Sequence, residues 1–296
     1  MQDQRVARIA CLLALTVMAL AGCRPSEGDG PASAATAIQN KGSDTIVNLA
    51  LAWAERYQTL HPQLNIAVTG GGSGTGIAAL ANRTVDLANA SRQIKPEEIE
   101  TARGNGVEPQ EYVIAQDAIA IVVHPDNPVD HITLAQLSAI YSGKITNWQE
   151  LGGEDRPIVL LSRETNSGTH VYFLEEVVRL GDSADKTLFS PDTLLLPSSE
   201  GISVEVRQNP NAIGYDGLGY VTADMKTLDV GLDPQGPFWP PNAATVNAGT
   251  YPIARKLYMY TAGEPQGELK AYIEWILSPE AQQIVQDLGF VPVSAP

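Results

Sequence analysis

Leu64-Asn65-Ile66-Ala67-Val68-Thr69-Gly70-Gly71-Gly72-Ser73-Gly74-Thr75-Gly76 is the stretch that decides the fold. Leu64, Ile66 and Val68 alternate with the residues between them, as on a strand with one buried face. The glycines then turn the chain tightly, and a short helix begins behind them. Upstream, Ile46, Val47, Leu49, Ala50, Trp53, Ala54, Tyr57 and Leu60 form an apolar face at helical spacing, preceded by the capping side chains of Gly42-Ser43-Asp44. Downstream, Leu87 to Ala90 predicts a strand, and Ala118 to Val123 is a continuous apolar run typical of a buried parallel strand. Leu257 to Tyr260 predicts another strand, and Leu269, Tyr272, Ile273, Ile276 and Leu277 share one helical face. Ser278-Pro279-Glu280 opens a last helix that Gly289 closes. Strands alternating with helices predict an α/β fold in which parallel pairing dominates the sheets. Tyr141 and Trp148 read as core.

The composition narrows the function. Of 296 residues, 44% are hydrophobic, enough for real cores, and the formal net charge is −15. Such an acidic chain is unsuited to nucleic acid or an anionic membrane surface. The charge also opposes long-range attraction of an anion, so an anion site here must work through local, desolvated hydrogen bonds.

At the N-terminus, Arg5 and Arg8 precede an apolar run from Ile9 to Ala21, shorter than the roughly 20 residues of a spanning helix. This pattern predicts a secretion signal over 1–22. Leu20-Ala21-Gly22-Cys23 resembles a bacterial lipobox, which implies cleavage before Cys23, a lipid on its thiol, and membrane attachment by that lipid alone. The alternative is an ordinary soluble secreted protein. The second cysteine, Cys11, leaves with the signal, so the mature chain has no disulfide. Residues 23–37 are expected to be a flexible tether, its polar composition running on to about Asn40. The expected location is the periplasm or cell surface.

Three segments share one grammar: small hydroxyl residues and glycines just before an apolar helix. They are Gly42-Ser43-Asp44-Thr45, Gly72-Ser73-Gly74-Thr75-Gly76 and Asn166-Ser167-Gly168-Thr169. A helix start carries unpaired N–H groups and partial positive charge, and so favours an anion. Glycine lets backbone approach, and hydroxyls add donors. Any one segment alone is equally a simple cap or tight turn. Arg163 and Arg92 are either charge-assisted partners of an anion or members of surface ion pairs. His61, His124, His131 and His170 have no metal-like spacing, so neither metal nor cofactor is expected.

From about Ile38 to its end the chain resembles the substrate-binding proteins of Pst-type phosphate ABC importers (the PstS family, periplasmic-binding-protein-like). The resemblance rests on the three segments above and on Thr84-Val85-Asp86-Leu87-Ala88-Asn89-Ala90-Ser91-Arg92. It continues through Ile140-Tyr141-Ser142-Gly143-Lys144-Ile145-Thr146-Asn147-Trp148 and Ser162-Arg163-Glu164-Thr165. Ala212-Ile213-Gly214-Tyr215, Gly217-Leu218-Gly219-Tyr220 and Tyr251-Pro252-Ile253 complete it.

It implies a type II fold of two α/β lobes, 38–116 with 250–296 and 117–249, closing by a hinge over phosphate in the cleft. The implied partners are inorganic phosphate and the importer's membrane subunits, with the chain a monomer. The phosphate contacts it implies are Ser43, Asp44 (through its backbone N–H), Thr45, Ser73, Arg163, Ser167, Gly168 and Thr169.

One position departs from the pattern. Several relatives carry an aspartate after the Ala-Ser of the second strand, where it accepts the proton of hydrogen phosphate and disfavours sulfate. Here that residue is Arg92, which is either a direct anion contact or a break in selectivity. Asp117 is the substitute candidate for proton acceptor, the other reading being a strand residue paired with backbone.

Alternatives from other classes are the same fold binding sulfate, arsenate, molybdate or tungstate, a hydrolase, or a surface adhesin. Against an enzyme, Gly71-Gly72-Ser73-Gly74-Thr75 misses G-x-S-x-G at its last position, and the loop fits neither nucleotide-binding register.

Overall fold

The strand pattern seen around the glycine turn holds through a computed structural model that describes residues 36–293, all within one compact unit. The signal, Cys23 and the tether as far as residue 35 lie outside the described residues. The polar stretch that resembles tether ends earlier than expected. Thr36–Gly42 form a strand, β1, lying between β2 (Leu64–Thr69) and β3 (Leu87–Ala90) and parallel to both. Its Gln39-Asn40-Lys41 composition hides it, because only Ile38 marks the inward face as apolar.

Helix α1 (Asp44–Leu60) packs its expected stripe inward, with Ile46, Leu49, Trp53 and Tyr57 buried, except at its end, where Leu60 is exposed. The Trp53 indole N–H donates to the carbonyl of Ala281 at 2.9 Å. Helix α2 (Ser73–Ala81) follows the glycine turn and α3 (Pro96–Gly104) follows β3. Strand β4 (Gln110–Val123) starts well before its apolar run. Its first part pairs with β11 (Ala254–Thr261) and its second with β8 (Ala212–Gly217) and β9 (Lys226–Gly231).

All these pairings of β4 are antiparallel, which corrects the expectation of a parallel strand. An unbroken apolar run reports burial of both faces, not strand direction. Among the described residues the strand pairings divide evenly, five parallel and five antiparallel, so parallel pairing does not dominate. The longest path runs β2-β1-β3-β11-β4-β8-β6-β7, with β6 at Val159–Arg163 and β7 at Leu194–Leu196, while β5 (His131–Thr133) and β10 (Phe238–Trp239) pair with β9 off this path.

Two cores flank the β4–β11 crossing. One gathers Ile38, Leu49, Trp53, Met259, Tyr272 and Ile276 under α1, α8 (Gly267–Ile276) and α9 (Pro279–Asp287). Ser278 caps α9 as expected. The other gathers Ile121, Ile140, Tyr141, Trp148, Phe173 and Tyr215 under α4 (Leu134–Tyr141) and α5 (Gly168–Phe173). Tyr141 and Trp148 are core, as read from the sequence. A further helix, α6 (Ser199–Gln208), covers the opposite face of the second half against Val122 and Leu161, and the short α7 (Ala243–Asn247) precedes β11.

Candidate functional site

Strand β1 ends at Gly42, and the start of α2 rests directly on that turn. The Gly72 N–H donates to the Gly42 carbonyl at 2.9 Å, and a Cβ on Gly76 would fall 2.5 Å from the Lys41 carbonyl oxygen. The third start arrives from the other half. The Gly74 N–H donates to the Asn166 carbonyl at 3.0 Å, and Asn166 Nδ2 donates to the Gly71 carbonyl at 2.9 Å. Thr45 Oγ1 and Thr169 Oγ1 lie 2.9 Å apart. Gly168 is pressed so closely on the first half that a Cβ there would be 2.3 Å from Ser73 Oγ and 2.6 Å from Ser91 Oγ. Only glycine fits this approach. The three helix starts named from the sequence therefore converge, with Ser43, Thr45, Ser73, Ser167 and Thr169 all buried.

Their hydroxyls do different things. Ser167 caps its helix, accepting from the Thr169 N–H at 3.2 Å. Ser43 makes no side-chain cap bond. Ser73 Oγ accepts from the Ser91 N–H at 3.0 Å and lies 3.3 Å from Ser91 Oγ.

Charged groups surround the cluster. Arg163, only 1% exposed, donates to the carbonyls of Leu196 and Pro197, to Ser199 Oγ and, at 2.9 Å, to Asp44 Oδ2. A guanidinium has five N–H groups, so four of these are engaged and one on Nη1 remains. Asp44 enters by its side chain, which the sequence reading did not foresee. Oδ1 accepts from the Gly71 N–H at 3.0 Å while Oδ2 holds Arg163 across the cleft. Its carbonyl accepts from the Tyr220 hydroxyl.

Arg92 is turned to its own half. It forms a two-pronged pair with Glu98, at 2.8 and 2.6 Å, and donates to the Gln93 carbonyl. Burial pushes the Glu98 carboxyl up, but Arg92 and the Lys95 N–H prevail and hold it below the usual range. The Arg92 guanidinium stays near the glycine turn, 3.9 Å from where a Gly74 Cβ would stand.

Asp117, fully buried on β4, accepts from the Leu218 N–H at 3.0 Å through Oδ1 and from Arg255 at 2.9 Å through Oδ2. Of its two readings, the backbone pairing is present, joined by an arginine. Burial raises its carboxyl pKa against the pull of Arg255. Arg255 also donates to the Ser91 carbonyl at 3.0 Å and lies 3.5 Å from Thr45 Oγ1.

Sequence reasoning passed over Arg255, Ser91, Asp216 and Tyr220 as site residues. For Arg255 a signal existed: it occupies an inward position two residues before buried Leu257 on β11. Ser91 was visible only as part of a motif. Asp216 falls between two of the quoted motifs and belongs to neither, although it is buried.

A Ser–His contact lies behind the cleft. Ser162 Oγ is 3.0 Å from His170 Nδ1, but both are buried, and the ring packs on Phe189. Burial lowers the His170 pKa, keeping it neutral as an anchor for α5.

A family model described as a PBP superfamily domain matches residues 29–280. The phosphate-binding protein PstS of Pseudomonas aeruginosa is 35% identical over 275 residues, covering 87% of this chain and 83% of that protein. Its namesake in Bacillus subtilis is 32% identical over 293 residues, covering 96% and 92%. Among solved structures, a protein from Clostridium perfringens assigned as a phosphate ABC transporter substrate-binding protein, with bound phosphate, superposes with a TM-score of 0.78. It shares 32% identity over 88% of this chain and 100% of that one. An ABC-type phosphate transport receptor from Vibrio cholerae gives 0.69 at 28% identity, over 86% and 100%.

Proposed function

The chain belongs to the PstS family of phosphate-binding proteins, and from that premise we propose that it captures inorganic phosphate outside the cytoplasmic membrane and delivers it to an ABC importer. The observation that carries this reading is the meeting of three helix starts from two halves at one buried cluster of hydroxyls. In this reading the anion is held by the hydroxyls of Ser43, Thr45, Ser73, Ser167 and Thr169, by backbone N–H groups at Asp44 and Gly168, and by the remaining Arg163 donor; the Ser43 N–H is taken by the Asn89 carbonyl at 2.9 Å. None of these needs the overall field, which in a chain of net charge −15 repels an anion. Fixed dipoles and one guanidinium supply the stabilisation at short range. The cleft opens and closes by motion of the two lobes, 38–116 with 250–296 against 117–249.

The anchor in this reading is a lipid on Cys23, and the working unit is the monomer. No helix among the described residues is long and apolar enough to cross a membrane. The absence of a carboxylate at Arg92 favours a second reading, in which sulfate, molybdate or tungstate shares the site. Asp117 is the nearest replacement acceptor on the crossing strand, and its engagement with Arg255 and the Leu218 N–H weakens that role.

The test is calorimetric titration of the mature chain with phosphate, sulfate and molybdate at several pH values. Tight binding confined to phosphate is expected. Arg163→Ala should weaken it by at least about 1.5–3 kcal/mol, the cost of losing a buried charge-assisted contact. Ser73→Ala should cost less, because neighbouring backbone donors remain. Unchanged phosphate affinity in Arg163→Ala would sink the site assignment.

A further inference from the structure

Among the described residues three arginines are buried, and each has one carboxylate of its own. Arg92 pairs with Glu98 at 2.6 Å, Arg163 with Asp44 at 2.9 Å and Arg255 with Asp117 at 2.9 Å. Asp216 is left over. It is 1% exposed. Oδ1 accepts from the Gly217 N–H at 2.9 Å, while Oδ2 is buried without a hydrogen-bond partner.

Register explains its place. Strands β6 and β8 pair in parallel with Leu160 beside Ile213. The same offset sets Ser162 beside Tyr215, whose oxygens are 2.5 Å apart, and brings Arg163 level with Asp216. Ser199, at the start of α6, receives an N–H of Arg163 at 2.8 Å and lies close enough to Asp216 to favour its ionised form, without a hydrogen bond to Oδ2. Asp216 is therefore near enough to feel the charge of the guanidinium that the phosphate reading assigns to the anion.

Building on that reading, we propose that Asp216 is a positioning residue for the anion site, which takes up a proton as phosphate binds and so offsets the ligand's charge. With the arginines already matched one to one, an entering dianion meets a surplus negative charge rather than a deficit. A like charge nearby, in a poorly solvated interior, favours the protonated carboxyl. The groups facing Asp216 set the balance: Arg163 from β6 and Ser199 from α6 favour the ionised form, and Asp117 from β4 opposes it. Burial, and then Asp216, raise the pKa of Tyr220 in the turn after β8. Burial outweighs the rest and holds the Asp216 carboxyl at about 6 before any anion is added, which leaves it ready to gain a proton near neutrality.

The experiment is phosphate calorimetry near neutral pH, in buffers of differing ionisation enthalpy, on wild type and Asp216→Asn. Phosphate itself changes protonation in this range, so the reading is the difference between the two proteins. Wild type should take up more protons per phosphate, by between about one half and one. Equal proton counts with phosphate binding intact overturn the role of Asp216 and leave the transport reading standing. Absence of phosphate binding by the wild type removes that reading, and this proposal with it. Should the variant not fold, carbon NMR of the Asp216 carboxyl in wild type decides. Its titration midpoint must move up when phosphate is added, and an unmoved midpoint overturns the proposal.

Discussion

Asp44 and Arg163 meet at 2.9 Å across the cleft with the arginine side chain 1% exposed, whereas Lys95 and Glu175 bridge the same two halves at 3.6 Å with 34% and 48% of their side chains in solvent. Both pairs join opposite charges from opposite halves, yet they do unequal work. The exposed pair exchanges one hydrated arrangement for another and gains little. The buried pair cannot be separated without leaving a desolvated charge, and Asp44 spends its second oxygen on the glycine turn. Burial and secondary hydrogen bonds, not the crossing itself, decide which contact matters.

The comparison can be broken most severely at the third pair, Asp117 with Arg255, where both side chains are almost wholly enclosed. Asp117→Ala strands a buried guanidinium and should destabilise the fold by about 3–5 kcal/mol, read as the shift in urea midpoint. A loss below 1 kcal/mol would show that water reaches the crossing strands.

Asp216 sharpens it with a buried acid that has no arginine of its own. Its folded-state pKa is raised to about 6, so its contribution to stability is complete at low pH. That contribution is lost as pH climbs from the ordinary carboxylate range through about 6. Asp216→Asn should therefore be more stable than wild type near pH 7, by on the order of 2–3 kcal/mol. The two should coincide below about pH 4, as followed by urea melts across the range.

Asp44→Ala removes the cross-cleft partner of Arg163 but leaves three of its bonds, and should cost about 1–3 kcal/mol in the same assay. Lys95→Ala tests the exposed side and should stay within about 0.5 kcal/mol. If those last two variants prove equal, the distinction between the pairs fails.

What the sequence could tell follows the range of the interaction. Helical stripes, the Ser278-Pro279 start and the burial of Tyr141 and Trp148 are local signals, and all appear in the fold. The three anion-type helix starts were legible for the same reason, since each is written in four or five consecutive residues. The partnerships between them were not, because Arg163 meets Asp44 over 119 positions and Arg255 meets Asp117 over 138. Strand direction in β4 was misread because an apolar run carries no sense of direction. β1 was missed because Asn40, inward-facing and buried, does not look like core.

The two strands that cross between the halves, β4 and β11, are hydrogen-bonded to each other along almost their whole shared length. The halves are thus not joined by slack linkers but by a two-stranded ribbon, and separating them must twist it. Near one end of that pairing, where the chain arrives from the second half, sits Arg255, fastened to Asp117 on the neighbouring strand and to the Ser91 carbonyl beside the cleft. In the lobe motion proposed above, rotation at this ribbon and rearrangement at the pocket are mechanically geared, because one guanidinium is held by both.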